Sequence, residues 1–311
     1  MSARLRGIAA ETQRIVAAGR YRAPDGREVP IAEAVEAARA GTRIFGPEPV
    51  PGASAPGPLA PGLSGAGASV TGPSGAGPSG VVPLGAVPSG AAPGRGTRFE
   101  VTGESSLEAA RRLADAPVAV LNFASARNPG GGYLNGAQAQ EEALCRASAL
   151  HTCLLTARGF YDRHRADRDP FYTDRVIHSP GVPVFRDDRG RLLAEPYHVG
   201  FLTAAAPNAG VIRRTAPERA AELPGALAVR AERVLETAAA HGYRRLVLGA
   251  WGCGVFQNDP ARVAGAFRAA MGPGGRFAYT FDHVVFGVLD RTPGAVVREA
   301  FVRAFPEARA A

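Results

Sequence analysis

Three consecutive glycines, Gly130 to Gly132, lie just ahead of two adjacent carboxylates, Glu141 and Glu142. Glycines leave main-chain N–H groups free of side-chain cover and take positive φ without steric penalty. At the exit of a strand, such a loop suits a phosphate or pyrophosphate, which accepts backbone donors and favours a helix N-terminus. The stretch Asn128-Pro-Gly-Gly-Gly-Tyr-Leu-Asn-Gly-Ala-Gln-Ala-Gln-Glu-Glu142 therefore joins an anion cradle to a carboxylic acid. Together they fit a site for a nucleotide whose chemistry is done by one acid. Acidic residues favour the first turn of any helix, so Glu141 and Glu142 gain their meaning from the glycines beside them.

A second stretch repeats the design. Arg245-Leu-Val-Leu-Gly-Ala250 reads as a buried strand, Trp251-Gly-Cys-Gly-Val-Phe256 as a glycine turn, and Asp259 and Pro260 as the cap and first residue of a helix. Two such turns can hold one extended diphosphate from both sides. Neither matches the dinucleotide GxGxxG pattern or a P-loop, whose lysine has no counterpart here. Other reactive side chains read as structural. His151 falls on an apolar helix face, and His178, His198 and His283 fall in strands without ligand spacing, so no metal site is expected. Cys145 and Cys253 have no histidine placed to pair with them, which favours packing over nucleophilic catalysis. Trp251 and Phe256 each fit either core or a stacking platform, with core favoured for Trp251.

The bulk numbers narrow the class. A chain of 311 residues can bury a real core, as one large domain or two small ones. Its net charge is +8, and every basic residue is arginine. The arginines are dispersed, without a basic run, zinc-finger or helix-turn-helix pattern, so nucleic acid is not the expected partner. The 3 cysteines form no CxxC pair and no even framework, which fits a reducing, cytoplasmic setting. No signal-peptide h-region and no membrane-length apolar run occur, so no membrane association is expected.

Residues 1–46 read as a helical arm. Ser2 caps a helix that Gly19 stops, a turn through Pro24-Asp-Gly26 leads to a helix over Ile31–Arg39, and Thr42–Phe45 follows as a strand. Its single apolar stripe needs another surface, so the arm is expected to dock on the main domain. Residues 47–96 form an insert. From Pro49 to Gly94 no charged residue occurs, and Gly, Pro, Ala and Ser dominate. This composition predicts a disordered linker spanning on the order of 35–40 Å root-mean-square. Deleting it is expected to leave activity nearly intact.

Residues 97–311 alternate strand and helix. Predicted elements are strand Phe99–Val101, a capping-box helix from Ser105 to Ala114, strand Val118–Phe123, helix Gln138–Arg158, and strand Val176–His178. A hairpin around Asp187–Gly190, strand Tyr197–Thr203, helix Pro217–His241, strand His283–Leu289 and helix Pro293–Phe305 complete the pattern. Alternation with glycine loops at strand ends predicts an α/β/α sandwich that binds ligands at those ends.

Gly-Gly-Gly, seven residues, then Gln140-Glu-Glu142 resembles the signature of poly(ADP-ribose) glycohydrolases, in the compact bacterial-type branch. The resemblance extends over Ser179–Arg186, Thr203–Asn208 and Gly249–Asp259, and includes the N-terminal arm. The insert is the departure from the family pattern. The resemblance implies a macrodomain-like fold, a mixed central sheet between helix layers, with ADP-ribose in a cleft between the two loops. It implies Glu142 as catalytic acid, raised in pKa by burial, the diphosphate and Glu141. Glu141 would bind ribose hydroxyls, Asn128 the ribose, and Gln140 belongs with the substrate-binding set. Main-chain groups at Gly130, Gly131, Gly132, Gly252, Cys253, Gly254 and Val255 would take the diphosphate, and Phe256 would pack on the distal ribose or adenine. The implied enzyme is a monomer that hydrolyses poly(ADP-ribose) without metal or cofactor. Its partners are poly(ADP-ribose), ADP-ribose and ADP-ribosylated proteins. The alternatives are an ADP-ribose-binding module without catalysis, and a hydrolase of mono-ADP-ribosylated protein or DNA.

Overall fold

The computed structural model of the chain describes residues 2–50 and 96–310. Residues 51–95, the bulk of the expected insert, lie outside the described residues. In chain order come α1 (Ala3–Ala18), β1 (Arg20–Arg22), β2 (Glu28–Pro30), α2 (Ala32–Gly41) and β3 (Arg43–Phe45). Next are β4 (Arg98–Thr102), α3 (Ser106–Leu113), β5 (Val118–Phe123), α4 (Gln140–Ala147), α5 (Leu150–Leu154) and α6 (Arg158–Ala166). The strands β6 (Val176–Arg186) and β7 (Leu192–Ala204) precede α7 (Ala209–Thr215), α8 (Leu223–Ala240) and β8 (Arg245–Leu248). The chain closes with α9 (Pro260–Met271), β9 (His283–Gly287), α10 (Val296–Ala304) and β10 (Arg309–Ala310).

Eight strands form one mixed sheet in the order β10-β4-β9-β8-β5-β7-β6-β3. Strand β5 is its hinge, because it runs parallel to both β8 and β7. Its period-2 alternation serves two cores. Val118 and Val120 face one layer with α3, α4, α5 and the N-terminal helices, whereas Ala119 and Leu121 face the other with α8, α9 and α10. The result is a three-layer α/β/α sandwich with a mixed sheet. Because β5, β7 and β8 are parallel neighbours, the loops that follow them leave the sheet at the same end.

The N-terminal segment reaches the same end. Thr12 donates its hydroxyl to Arg146 O at 2.7 Å, Gln13 Nε2 lies 3.1 Å from Tyr133 Oη, and Ser2 N–H donates to Gly136 O at 3.3 Å. Strand β3 pairs antiparallel with β6 at the sheet edge.

Several elements differ from the sequence expectation. The single helix over Gln138–Arg158 is two, α4 and α5, because Ser148 turns extended and bridges Val184, and its hydroxyl donates to Leu144 O at 2.7 Å. The separate strands around Pro180-Gly181 are one long β6, with an irregularity in its register between Ser179 and Val182. The turn at Pro24–Gly26 closes a two-stranded hairpin, β1 with β2, which the short flanks did not announce. Helix Pro217–His241 opens with a 3-10 turn over Pro217–Glu222 before α8.

Under β3, His178 is buried and its Nε2 lies 3.0 Å from Tyr243 Oη, with the His241 ring centroid 3.9 Å away. Burial first, then the His241 charge, pushes His178 down to about 3. The folded state holds it neutral, while the unfolded chain takes a proton near pH 6.5. Its contribution to stability is therefore complete above about pH 6.5 and is lost as pH falls toward 3, with a slope up to about 1.4 kcal/mol per pH unit. Thermal midpoints recorded from pH 7 to pH 4 should fall, and His178→Gln should flatten the slope. An unchanged slope in that variant would remove His178 from the account.

Candidate active site

The first three residues of α4 carry the polar work beneath the glycine loop. Gln140 turns back onto β5: Phe123 N–H donates to its Oε1 at 2.9 Å, and its Nε2 donates to Leu121 O at 2.8 Å and Ser106 Oγ at 3.1 Å. Both ends of the amide are taken by protein. Gln140, expected among the substrate-binding groups, fixes α4 to the strand end.

Glu141 is 2% exposed. Its Oε2 accepts from Ser125 N–H at 2.7 Å and its Oε1 from Asn122 Nδ2 at 3.2 Å. Burial, with the Glu142 charge as a smaller cause, pushes the Glu141 carboxyl up to about 8 although these hydrogen bonds favour its ionised form. Glu142 is held differently. Gly132 N–H donates to Oε1 at 2.9 Å, while Oε2 is buried and has no partner among the described residues.

The glycines form a roof over this pair. Gly130 and Gly131 both sit in the left-handed region, at φ 69 and 57. A Cβ on Gly131 would lie 3.3 Å from Glu141 Oε2 and in overlap with Glu142 Oε1. A Cβ on Gly130 would lie 2.8 Å from His151 Cδ2 and 3.2 Å from Cys145 Sγ. Here the geometry differs from a set of free amides. The amides of Gly130 to Gly132 do not project as free donors: Gly131 N–H donates to Asn128 O at 2.9 Å, Gly132 N–H to Glu142, and the Gly130 amide supports Glu141. Inward-facing carboxylates claim two of them and the Asn128 carbonyl the third. Asn128 itself is exposed, with its side chain free of protein partners among the described residues.

The second loop leaves its donors open. Gly252 takes φ 70, and a Cβ there would meet Ala206 and Asn258 at 2.5 and 2.6 Å. Asn258 Nδ2 closes the turn by donating to Pro207 O at 2.8 Å and Gly252 O at 3.1 Å. Cys253 N–H is satisfied by Ala250 O at 3.1 Å, and its half-buried thiol is pushed up to about 12 by burial. Gly254, Val255 and Phe256 N–H groups have no protein acceptor among the described residues, and Val255 is 82% exposed. Trp251 is core, its Nε1 donating to Ala204 O at 2.9 Å. The Phe123 ring at the end of β5 lies beside Gly249 after β8, where an added Cβ would come 3.1 Å from Phe123 Cζ.

Sequence reading missed Asn122 and Ser125 as the groups that orient Glu141. Asn122 Nδ2 also reaches Thr203 Oγ1 at 3.0 Å across the β5–β7 pair. The available signal was an asparagine inside the apolar run Val118–Phe123, where a buried polar group needs a partner. Among the described residues no group of three or more His, Cys, Asp or Glu side chains is arranged to hold a metal ion, and no helix is long and apolar enough to cross a membrane.

This geometry has relatives. Residues 9–187 match the family described as microbial-type PARG, catalytic domain. The crystal structure of poly(ADP-ribose) glycohydrolase from Thermomonospora curvata is similar at 46% identity, over 98% of this chain and 100% of that one, with a TM-score of 0.82. The same organism's enzyme bound to the inhibitor ADP-HPD is similar at 47% identity over 98% and 100% of the two chains, with a TM-score of 0.80. The enzyme from Deinococcus radiodurans in complex with ADP-ribose is similar at 38% identity over 88% and 96% of the two chains, with a TM-score of 0.70. No curated protein sequence matches. With a family match over more than half its length and a fold shared along nearly all of it, the chain belongs to the microbial-type poly(ADP-ribose) glycohydrolases.

Proposed function

We propose that this chain hydrolyses the O-glycosidic ribose–ribose bond of poly(ADP-ribose) from chain ends, releasing ADP-ribose, with Glu142 as general acid and base. The observation that carries this reading is the buried, unpartnered Oε2 of Glu142 beside an Oε1 pinned by Gly132 N–H. A buried carboxylate oxygen without a donor is costly unless a ligand group completes it.

Rupture of the bond builds positive charge on the anomeric carbon and negative charge on the departing oxygen. Glu142 Oε2 gives that oxygen a proton, and the carboxylate left behind then takes one from the attacking water. Glu141, held by Ser125 and Asn122, receives the ribose hydroxyls, and burial pushes its own carboxyl up to about 8. The open amides of Gly254, Val255 and Phe256 support a diphosphate at the second loop, with Asn128 exposed on the rim of the first. Pinning the diphosphate orients the sugar, a contribution through positioning.

The test is product analysis with purified enzyme on three substrates: poly(ADP-ribose), mono-ADP-ribosylated protein and ADP-ribosylated DNA. The reading expects ADP-ribose from the polymer at the highest rate. Release only from mono-ADP-ribosylated protein or DNA, or binding without release from any of the three, would overturn it.

A further inference from the structure

We infer that His164 is a positioning residue that straps the two loops of the cleft together and so sets the affinity for ADP-ribose. The inference rests on the proposed function only in taking that cleft as the ligand site. His164 projects from α6 and is 1% exposed. Its Nδ1 lies 3.1 Å from Ala126 O, at the entry to the first loop. Its Nε2 lies 2.7 Å from Thr173 Oγ1 and accepts the Thr173 N–H at 3.1 Å. A ring nitrogen that accepts a main-chain N–H carries no proton, so the proton sits on Nδ1 and is donated to Ala126 O. Only the neutral imidazole, in that one tautomer, makes both bonds.

The strap continues to the second loop. Tyr172, next to Thr173, takes φ 60, an uncommon backbone state for an aromatic residue. Its ring centroid lies 5.4 Å from that of His164 and 5.9 Å from that of Phe256. The segment is tied to the loop after β7 as well, where Asn208 N–H donates to Pro170 O at 2.8 Å. Strain of this kind persists only where the surroundings over-determine the conformation. Here Ala126, His164, Thr173, Tyr172 and Phe256 form one chain of contacts from the first loop to the second. None of its hydrogen bonds involves Glu141 or Glu142, so the strap governs the spacing of the loops and leaves proton transfer alone.

The test compares wild type with His164→Phe, His164→Asn and Thr173→Val. Affinity for ADP-ribose is read by calorimetry, and kcat and KM are read on poly(ADP-ribose). His164→Phe keeps a ring but removes both bonds; it should weaken ADP-ribose binding and raise KM by about tenfold, with kcat within about threefold. His164→Asn keeps a donor for Ala126 O and should restore part of the affinity. Thr173→Val keeps the imidazole and the main chain, and should weaken binding about threefold. Should His164→Phe fail to fold, Thr173→Val decides: unchanged affinity there overturns the inference. So does a His164→Phe enzyme that binds ADP-ribose as wild type does, or one that loses kcat at constant KM. Wild type that fails to bind ADP-ribose at all would overturn the reading of the cleft and the strap with it.

Discussion

Glu142→Gln should slow release of ADP-ribose from the polymer by about 10²–10⁴-fold while ADP-ribose affinity stays within about tenfold. Glutamine keeps the volume of the side chain, and its Oε1 can still accept the Gly132 N–H that holds the native carboxyl at 2.9 Å. What is lost is the oxygen that has no protein partner. An amide nitrogen in that place cannot give a proton to a departing alkoxide or take one from water, so the loss falls on the transition state. A purely structural Glu142 predicts another pattern, with weaker binding and a lower melting temperature at nearly constant kcat. Calorimetry with ADP-ribose and initial rates on the polymer separate the two. Lost binding with unchanged turnover would remove Glu142 from the chemistry.

The two loops were legible because their signals are local. An apolar run, a glycine turn and the start of a helix follow one another at Val118–Glu142 and again at Arg245–Pro260, and β5 and β8 prove to be parallel neighbours. The direction of the amides was not legible. Glycine guarantees freedom at φ, but which way an N–H turns depends on the nearest acceptor, and for Gly132 that acceptor is the side chain of Glu142. The amides left without a protein acceptor among the described residues are those of Gly254, Val255 and Phe256 at the second loop. The same limit explains Gln140, whose amide could face ligand or protein until the end of β5 arrived beside it. It also explains the broken helix after Ala147. Alanines flank Ser148 on both sides, so no turn residue marks the break, and the pairing with Val184 that extends Ser148 comes from a distant strand. Where a contact partner is far along the chain, spacing alone carries no trace of it.

Gly131→Ala should abolish most activity, by about 10²-fold or more, and destabilise the fold by about 1–3 kcal/mol. Two causes act together. At φ 57 an alanine sits in a backbone region that side chains disfavour. Its Cβ would also overlap Glu142 Oε1, 3.2 Å from Glu142 Cδ and 3.3 Å from Glu141 Oε2. Both carboxylates are buried, so neither can swing into solvent without leaving its main-chain donor. The roof must lift or the acid must move, and a displacement of about 1 Å at the reacting groups is enough for the activity loss. Gly254→Ala is the matched control, since a Cβ there meets nothing within 4 Å and Gly254 does not sit at positive φ. Its melting temperature should stay at the wild-type value. If Gly131→Ala kept wild-type turnover, the glycines would be a turn of convenience and the close roof over the two acids would have no part in catalysis.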